Sequence, residues 1–303
     1  MRVKTPKPAT RRASVGRASG ASSRRDTAAF VPMNRHDLYE ICVQKPEALI
    51  PLLRAIHGGE PRVLGEDFCA GAACARHWVK SIPRAIAYVA DVDSEPLSRV
   101  EAWRREQPPE LAERLIAARL DVLKKSASGP RSCDLLFTGN FSIGEIHARA
   151  DLVRYLMRSR QRLKPRGVLV CDTYGGETAF ASGSVQRIHP VPAALARPGA
   201  RVRYTWQQRE ADPLTARVEN AIHFRVERAG EIVQELTDAF VYRWRLWSVP
   251  ELRDAMLEAG FKRVEVFAQL IDAQDSEGRA YAHPVVDPTE LGDSFIVCVV
   301  GRV

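Results

Sequence analysis

The sequence predicts an α/β protein with a doubly wound, mixed sheet of seven strands flanked by helices, and a small antiparallel β insert after the fifth strand. Three observations predict it. Short apolar runs alternate with helical patterns between residues 63 and 173; strict period-two alternation takes over between residues 201 and 247; a capped helix and two apolar runs with no helix between them end the pattern.

Composition narrows the function classes. At 303 residues the chain is long enough for one large core, its hydrophobic content of 45% is ordinary, and no apolar run approaches a membrane span. The formal charge of +8 is unevenly placed. Residues 1–26 hold eight Lys/Arg and one acid, so the rest, with 37 basic and 36 acidic residues, is close to neutral. That leaves residues 1–28 as a basic tail without large apolar side chains, for which disorder is expected. The same Arg- and Ser-rich start is also the composition of an organelle transit peptide. A near-neutral body gives no reason to expect a polyanion substrate. The six cysteines form no C-x-x-C pair and no zinc-spaced cluster, which reads as a reducing cytoplasmic protein without structural metal.

The domain proper is expected over 29–303. Leu38, Ile41, Leu49, Leu52, Leu53 and Ile56 at helical spacing give one or two helices before the first strand, with Pro46 and Pro51 as breaks. The stretch Pro61 to Cys74 organises the rest: a short apolar run, the carboxylate Glu66, the small residues Ala70-Gly71-Ala72, then a helical pattern through Trp78 and Val79. That is a strand, a tight turn and a helix start, where a doubly wound sheet holds a cofactor and free helix N–H groups favour a negative group. Glu66 is expected at the strand's end, facing a cation or a hydroxyl. A dinucleotide fingerprint needs G-x-G-x-x-G, which this turn lacks; small residues suit S-adenosylmethionine (SAM), which has no pyrophosphate.

The second strand, Ala85 to Asp93, ends in acids. Asp91 lies 25 residues beyond Glu66, close to the spacing at which a carboxylate holds a ribose diol. Asp93 is placed instead as the cap of the next helix. A helix over roughly 110–116 leads to a strand ending at Asp121-Val122, where an acid is placed to accept an adenine amino group. The fourth strand, Cys133 to Thr138, runs into Gly139-Asn140-Phe141-Ser142, beside the topological switch point. A helix near 147–163 precedes the fifth strand, Val168 to Thr173, and the turn Tyr174-Gly175-Gly176.

Residues 200–247 are the insert, read as a possible substrate lid. Val202, Tyr204 and Trp206, then Ile222, Phe224 and Val226, then Phe240, Tyr242, Trp244 and Leu246 alternate with polar residues. His223 and Arg225 fall opposite that apolar face, where they line a cavity or meet water. Ser248-Val249-Pro250-Glu251 is a capping-box start, and Phe261–Leu270 and Ser294–Val300 are the sixth and seventh strands.

At this point a family resemblance becomes specific. Glu66-Asp67-Phe68-Cys69, Asn140-Phe141-Ser142 and Arg243-Trp244-Arg245-Leu246-Trp247 resemble the motifs of an uncharacterised family of class I SAM-dependent methyltransferases, a Rossmann-like fold. That family's loop continues Gly-Thr-Ala where this chain has Ala70-Gly71-Ala72. The resemblance implies SAM binding at Glu66, Phe68, Cys69, Ala70 and Gly71, at Asp91 with Val92, at Asp121 with Val122, and beside Asn140 and Phe141. It names no methyl acceptor.

The expected chemistry is methyl transfer to a small or medium-sized acceptor, small molecule or peptide, under the insert. Such an in-line displacement needs alignment and water exclusion more than a nucleophilic side chain, and no G-x-S-x-G or H-E-x-x-H stands in the chain. Asn140 is the candidate to accept a hydrogen bond from the acceptor, with Tyr174 or His223 to orient it or take a proton. Rival readings are an RNA- or protein-directed methyltransferase anchored by the basic tail, a non-catalytic SAM-fold scaffold, and an NAD-dependent oxidoreductase.

Overall fold

The structure is a computed structural model that describes residues 30–124, 132–195 and 199–303. Residues 1–31 form a unit of their own, of which only Phe30 and Val31 are described, so the tail expected over 1–28 lies outside the described residues. The second unit runs from Pro32 to Val303.

Its elements are α1 (Arg35–Cys42), α2 (Pro46–His57), β1 (Val63–Asp67), α3 (Ala73–Ser81), β2 (Ile86–Asp91), α4 (Ser94–Arg105), α5 (Pro109–Ala112), β3 (Leu115–Arg119), β4 (Cys133–Thr138), α6 (Arg149–Arg162) and β5 (Leu163–Gly176). Then come β6 (Gly183–Pro190), β7 (Ala200–Asp212), β8 (Arg217–Arg228), β9 (Glu231–Arg245), α7 (Val249–Glu258), β10 (Arg263–Ala268), the two-residue strands β11 (Ala273–Gln274) and β12 (Ala280–Tyr281), and β13 (Ser294–Arg302). Helix α2 runs on through Pro51, so only Pro46, at its first turn, marks a break.

Seven strands form the main sheet in the order β10-β13-β5-β4-β1-β2-β3. Strands β1 to β5 are parallel, and β13 is antiparallel to both β5 and β10. The chain winds outward from β1 to β3, then crosses to β4 on the other side of β1. The carboxyl ends of β1 and β4 therefore flank the switch point. Period-two alternation inside buried runs sends successive side chains to opposite faces. Val168 and Val170 of β5 pack with Leu53, Trp78 and Val79 on the face of α2 and α3, while Leu169 and Cys171 pack with Tyr155, Leu156 and Met256 on the face of α6 and α7. Two cores, one on each face, are what the double winding requires.

The expected caps are present. Asp93 caps α4 by accepting from the Glu95 amide, and Ser248 with Glu251 closes a capping box on α7. All six cysteines are free and buried. Among the described residues no helix is long and apolar enough to cross a membrane.

The insert is a four-stranded antiparallel sheet, β6-β7-β8-β9, and so begins earlier than the expected 200–247. Strand β6 pairs with β7 through its backbone, but nearly all its side chains are exposed. With no buried face, it leaves no alternation to read. Cross-strand pairs fix the two faces of the rest. Tyr204 pairs with Phe224, Trp206 with Ile222, Asn220 with Tyr242 and Val218 with Trp244, all on the face turned to the main sheet. Thr205 and His223 pair on the outer face.

Candidate functional site

The loop after β1 bends in an uncommon way. Phe68 (φ 55°), Ala70 (φ 47°) and Ala72 (φ 52°) are all left-handed although none is glycine. At the end of β4, Asn140 (φ 56°) and Phe141 (φ 62°) are left-handed too. Of ten such non-glycine residues among those described, five stand in the two loops flanking the switch point. Residues held in this region cost about 1–3 kcal/mol each and cluster at functional sites.

Carboxylates hold both loops, Asp91 half-buried and Asp172 buried. Asp91, at the end of β2, accepts the Ala70 amide on Oδ2 (2.8 Å) and the Asp93 amide on Oδ1 (2.9 Å). Asp172 on β5 accepts the amides of Asn140 (3.0 Å) and Phe141 (2.7 Å). Burial raises Asp172 to about 6, with those two amides pulling the other way, so it is mainly ionised at neutral pH. Beneath the loop, Asp67 takes both Arg162 guanidinium nitrogens (2.6 and 3.0 Å) and the Tyr155 hydroxyl (2.9 Å). Tyr155 also meets Thr138 Oγ1 at 2.6 Å, which ties the end of β4 to the end of β1.

Glu66 departs from expectation. It is 4% exposed, and its Oε2 accepts the Ala75 amide of α3 at 2.9 Å, so it supports the helix from within. Burial raises its pKa to about 8. The Cys69 side chain is likewise buried, and burial pushes its thiol well up, so it contributes backbone: its amide bonds Ala90 and its carbonyl takes the Ala72 amide. The Phe68 ring leans on Tyr155.

Gly71 is the close-approach position. A Cβ there would stand 3.0 Å from Glu40 Oε1 and 3.8 Å from Arg99 Nε. Glu40 bonds Arg76 (2.7 Å), and Arg99 bonds Asp37 (2.6 Å). Sequence reasoning missed this set; its only signal is polar residues on the inner side of α1, which any surface helix carries. Val92, at the end of β2, is 56% exposed, an apolar side chain with no core to join. At the end of β3, Asp121 caps its own turn through the Leu123 amide and pairs with Lys124, while Val122 is buried.

The insert's inner face roofs the carboxyl ends of β4 and β5. Phe141 meets Tyr174 edge-on at 5.1 Å and reaches Trp206 and Trp244 at 6.3 and 6.1 Å; Tyr242 stacks on Trp244 at 4.3 Å. Helix α1 joins the roof through Tyr39, which packs on Phe240. Burial pushes the Tyr39 and Tyr242 phenols far up, so they stay protonated. Gln234 of β9 clasps the Met33 backbone at its amide (2.9 Å) and carbonyl (2.7 Å), fastening the entry to α1 onto the insert.

The structure thus brings Asn140, Phe141 and Tyr174 together and sets Asp91, Val92, Asp121 and the Phe68–Gly71 loop along the same edge. It does not bring His223 there. That ring lies on the outer face, bonded to Gln207 Oε1 (3.1 Å) and to the Asp238 amide (3.0 Å). Tyr174 is placed at the site, but its hydroxyl is engaged: it donates to Gln208 Oε1 (3.0 Å) and accepts from Asn220 Nδ2 (3.3 Å), and burial raises its pKa. It acts as an anchor between the two sheets, not a free base.

This strand order, with an antiparallel β13 inserted between β5 and β10, is the class I SAM-dependent methyltransferase fold. Solved structures share it. The sugar N-methyltransferase KedS8 from a Streptoalloteichus species superposes with a TM-score of 0.59 at 16% identity, over 96% of this chain and 100% of that one. DesVI from Streptomyces venezuelae gives 0.60 at 17% over 88% and 95%, and a SAM-dependent methyltransferase from Clostridium acetobutylicum gives 0.59 at 14% over 88% and 97%. No family model matches the chain. No curated protein matches it either.

Proposed function

We propose that the protein is a SAM-dependent methyltransferase acting on a small or medium-sized acceptor held under the insert. The observation that carries this reading is the concentration of left-handed, non-glycine backbone in the two loops at the switch point, clamped by Asp91 and Asp172. Strain persists where surrounding structure over-determines it, and a ligand site is where it is worth keeping.

The residues present fit that cofactor. Gly71 leaves open the volume a Cβ would fill beside Glu40, with Arg76 and Arg99 at hand, which suits a zwitterionic amino-acid end. Asp91 has lone pairs left on both oxygens for a ribose diol, Val92 offers an apolar face for adenine, and Asp121 stands at the neighbouring strand end. When bound, the group supplies an electrophilic sulfonium methyl. The chain's own part is to align the acceptor against Asn140 and Phe141 and to keep water out with the aromatic roof. KedS8 is described as a sugar N-methyltransferase and CalS10 as an amino pentose methyltransferase, which supports a small acceptor.

The test is a thermal-shift and calorimetric titration with SAM, S-adenosylhomocysteine and NADH. A ligand that binds only the folded state raises the melting temperature by mass action. Both adenosyl ligands are expected to stabilise the wild type and neither the Asp91→Ala variant. Equal stabilisation by NADH, or no response to the adenosyl pair, overturns the reading.

A further inference from the structure

The inner face of the insert carries a buried acceptor without a donor. Asn220 on β8 is 0% exposed, between Gln208 of β7 and Tyr242 of β9. A chain of bonds fixes which way its amide points. Gln208 Nε2 donates to the carbonyls of Ala179 and Ala181, both at 2.9 Å, so its Oε1 is the acceptor left for the Tyr174 hydroxyl. That commits the hydroxyl's single proton, and Tyr174 then accepts from Asn220, which must present Nδ2. Asn220 Oδ1 is left over, buried and with no hydrogen-bond partner. Leaving such an oxygen unpaired is destabilising, and native folds rarely keep one without a use.

Its surroundings indicate the use. The aromatic faces of Trp206, Tyr242 and Trp244 line the same side of the sheet, and no Lys or Arg alternates onto it between Val202 and Gln208, Val218 and Val226, or Phe240 and Trp244. Below lies Asp172, under the Asn140–Phe141 turn. The ring faces, Asn220 Oδ1 and the Asp172 carboxylate are all electron-rich, which suits an N–H-bearing, cation-forming ligand.

We infer that Asn220 Oδ1 accepts an N–H of the methyl acceptor, and that the acceptor is an amine. The inference rests on the methyltransferase reading above. With one N–H held by Asn220, the nitrogen lone pair of the neutral amine points away from Oδ1. The lone pair forms the new N–C bond as the methyl's C–S bond breaks, its electron pair going to sulfur. The resulting ammonium then loses one proton to water.

The experiment uses the full chain saturated with S-adenosylhomocysteine and three matched probes, read by calorimetry. Benzylamine has N–H donors, benzyl alcohol has a donor without charge, and benzyltrimethylammonium has charge without a donor. The wild type is expected to bind benzylamine roughly tenfold more tightly than benzyltrimethylammonium, the size of one good hydrogen bond, with benzyl alcohol between them. In Asn220→Leu the first two become equal, while S-adenosylhomocysteine binding is unchanged. If that variant fails to fold, Asn220→Asp decides, and its benzylamine affinity should rise. Equal binding of the two cations by the wild type, a preference that survives Asn220→Leu, or binding of none of the three overturns the inference. Failure of S-adenosylhomocysteine itself to bind overturns the cofactor reading first, and this one with it.

Discussion

Replacing Glu66 by Gln isolates the electrostatic cost of the acid at the heart of the loop. The substitution keeps the side chain's shape and a carbonyl for the Ala75 amide at 2.9 Å, and removes only the ionisable proton. Burial holds the Glu66 pKa at about 8 against an ordinary 4.5. The native state therefore binds this proton more tightly than the unfolded chain does. Stability is full below pH 4.5, falls as pH rises from there to about 8, and is flat beyond. That interval corresponds to about 5 kcal/mol as an upper bound, and an interior of effective dielectric near 20 brings the expected loss to roughly 2–4 kcal/mol. The assay is urea unfolding of both proteins at pH 5, 7 and 9. Other titrating groups, including the thiols that burial pushes up, are common to the two proteins and cancel in the difference. The variant should gain about 2 kcal/mol or more on the wild type between pH 5 and 9. A difference that stays flat, or a variant less stable at pH 9, would mean that the native carboxylate is ionised and paired, with Arg76 the cation whose field favours that form.

Four further outcomes follow from the same geometry. Ala70→Gly removes a left-handed alanine, worth about 1–2 kcal/mol, against about 0.4–1 kcal/mol of added chain entropy, so the denaturation midpoint should rise slightly. Ala72→Gly should be near neutral, because its methyl is fully buried and losing it costs about 0.8 kcal/mol. Arg162→Met leaves Asp67 buried without its bidentate partner and should cost about 3–5 kcal/mol by urea unfolding; adding Asp67→Asn should recover part of that loss. His223→Ala should leave S-adenosylhomocysteine affinity and benzylamine binding unchanged by calorimetry, since the ring faces outward from the site.

Periodicity made most of the architecture legible. The strands of the main sheet are buried on both faces or alternate cleanly, and Asp93, Ser248 and Glu251 announce helix starts through their capping side chains. What escaped has physical reasons. Strand β6 pairs only through its backbone, so no side-chain pattern marks it. The parity of His223 was readable from Ile222 and Phe224, but parity does not say which face of a sheet turns inward. The aromatic face did, because Phe141, Tyr174 and Tyr39 offer it apolar surface from three separate elements. Asn220 stood unmarked among those aromatics. Its meaning depends on an orientation passed along from Ala179 and Ala181 through two other side chains, and no local pattern contains that.

The spacing of the acids explains how this loop manages with a single glycine. A left-handed residue other than glycine needs outside help to stay in place. Here each strained segment has a carboxylate of its own: Asp91 for Ala70, Asp172 for Asn140 and Phe141, and Glu66 for the helix that begins after Ala72. Two of the three come from a neighbouring strand, Asp91 from β2 and Asp172 from β5, while Glu66 stands at the end of β1 itself. The Asp91 and Asp172 clamps therefore hold only when β1 and β2, and β4 and β5, are in register, so the loops are shaped by the assembled sheet as well as by their own residues. A glycine-rich turn would reach the same path with no such dependence, but with more freedom to lose. In this chain the shape of that edge is set by folding itself, and the one residue left bare at its centre, Gly71, is where Glu40 and Arg99 close in.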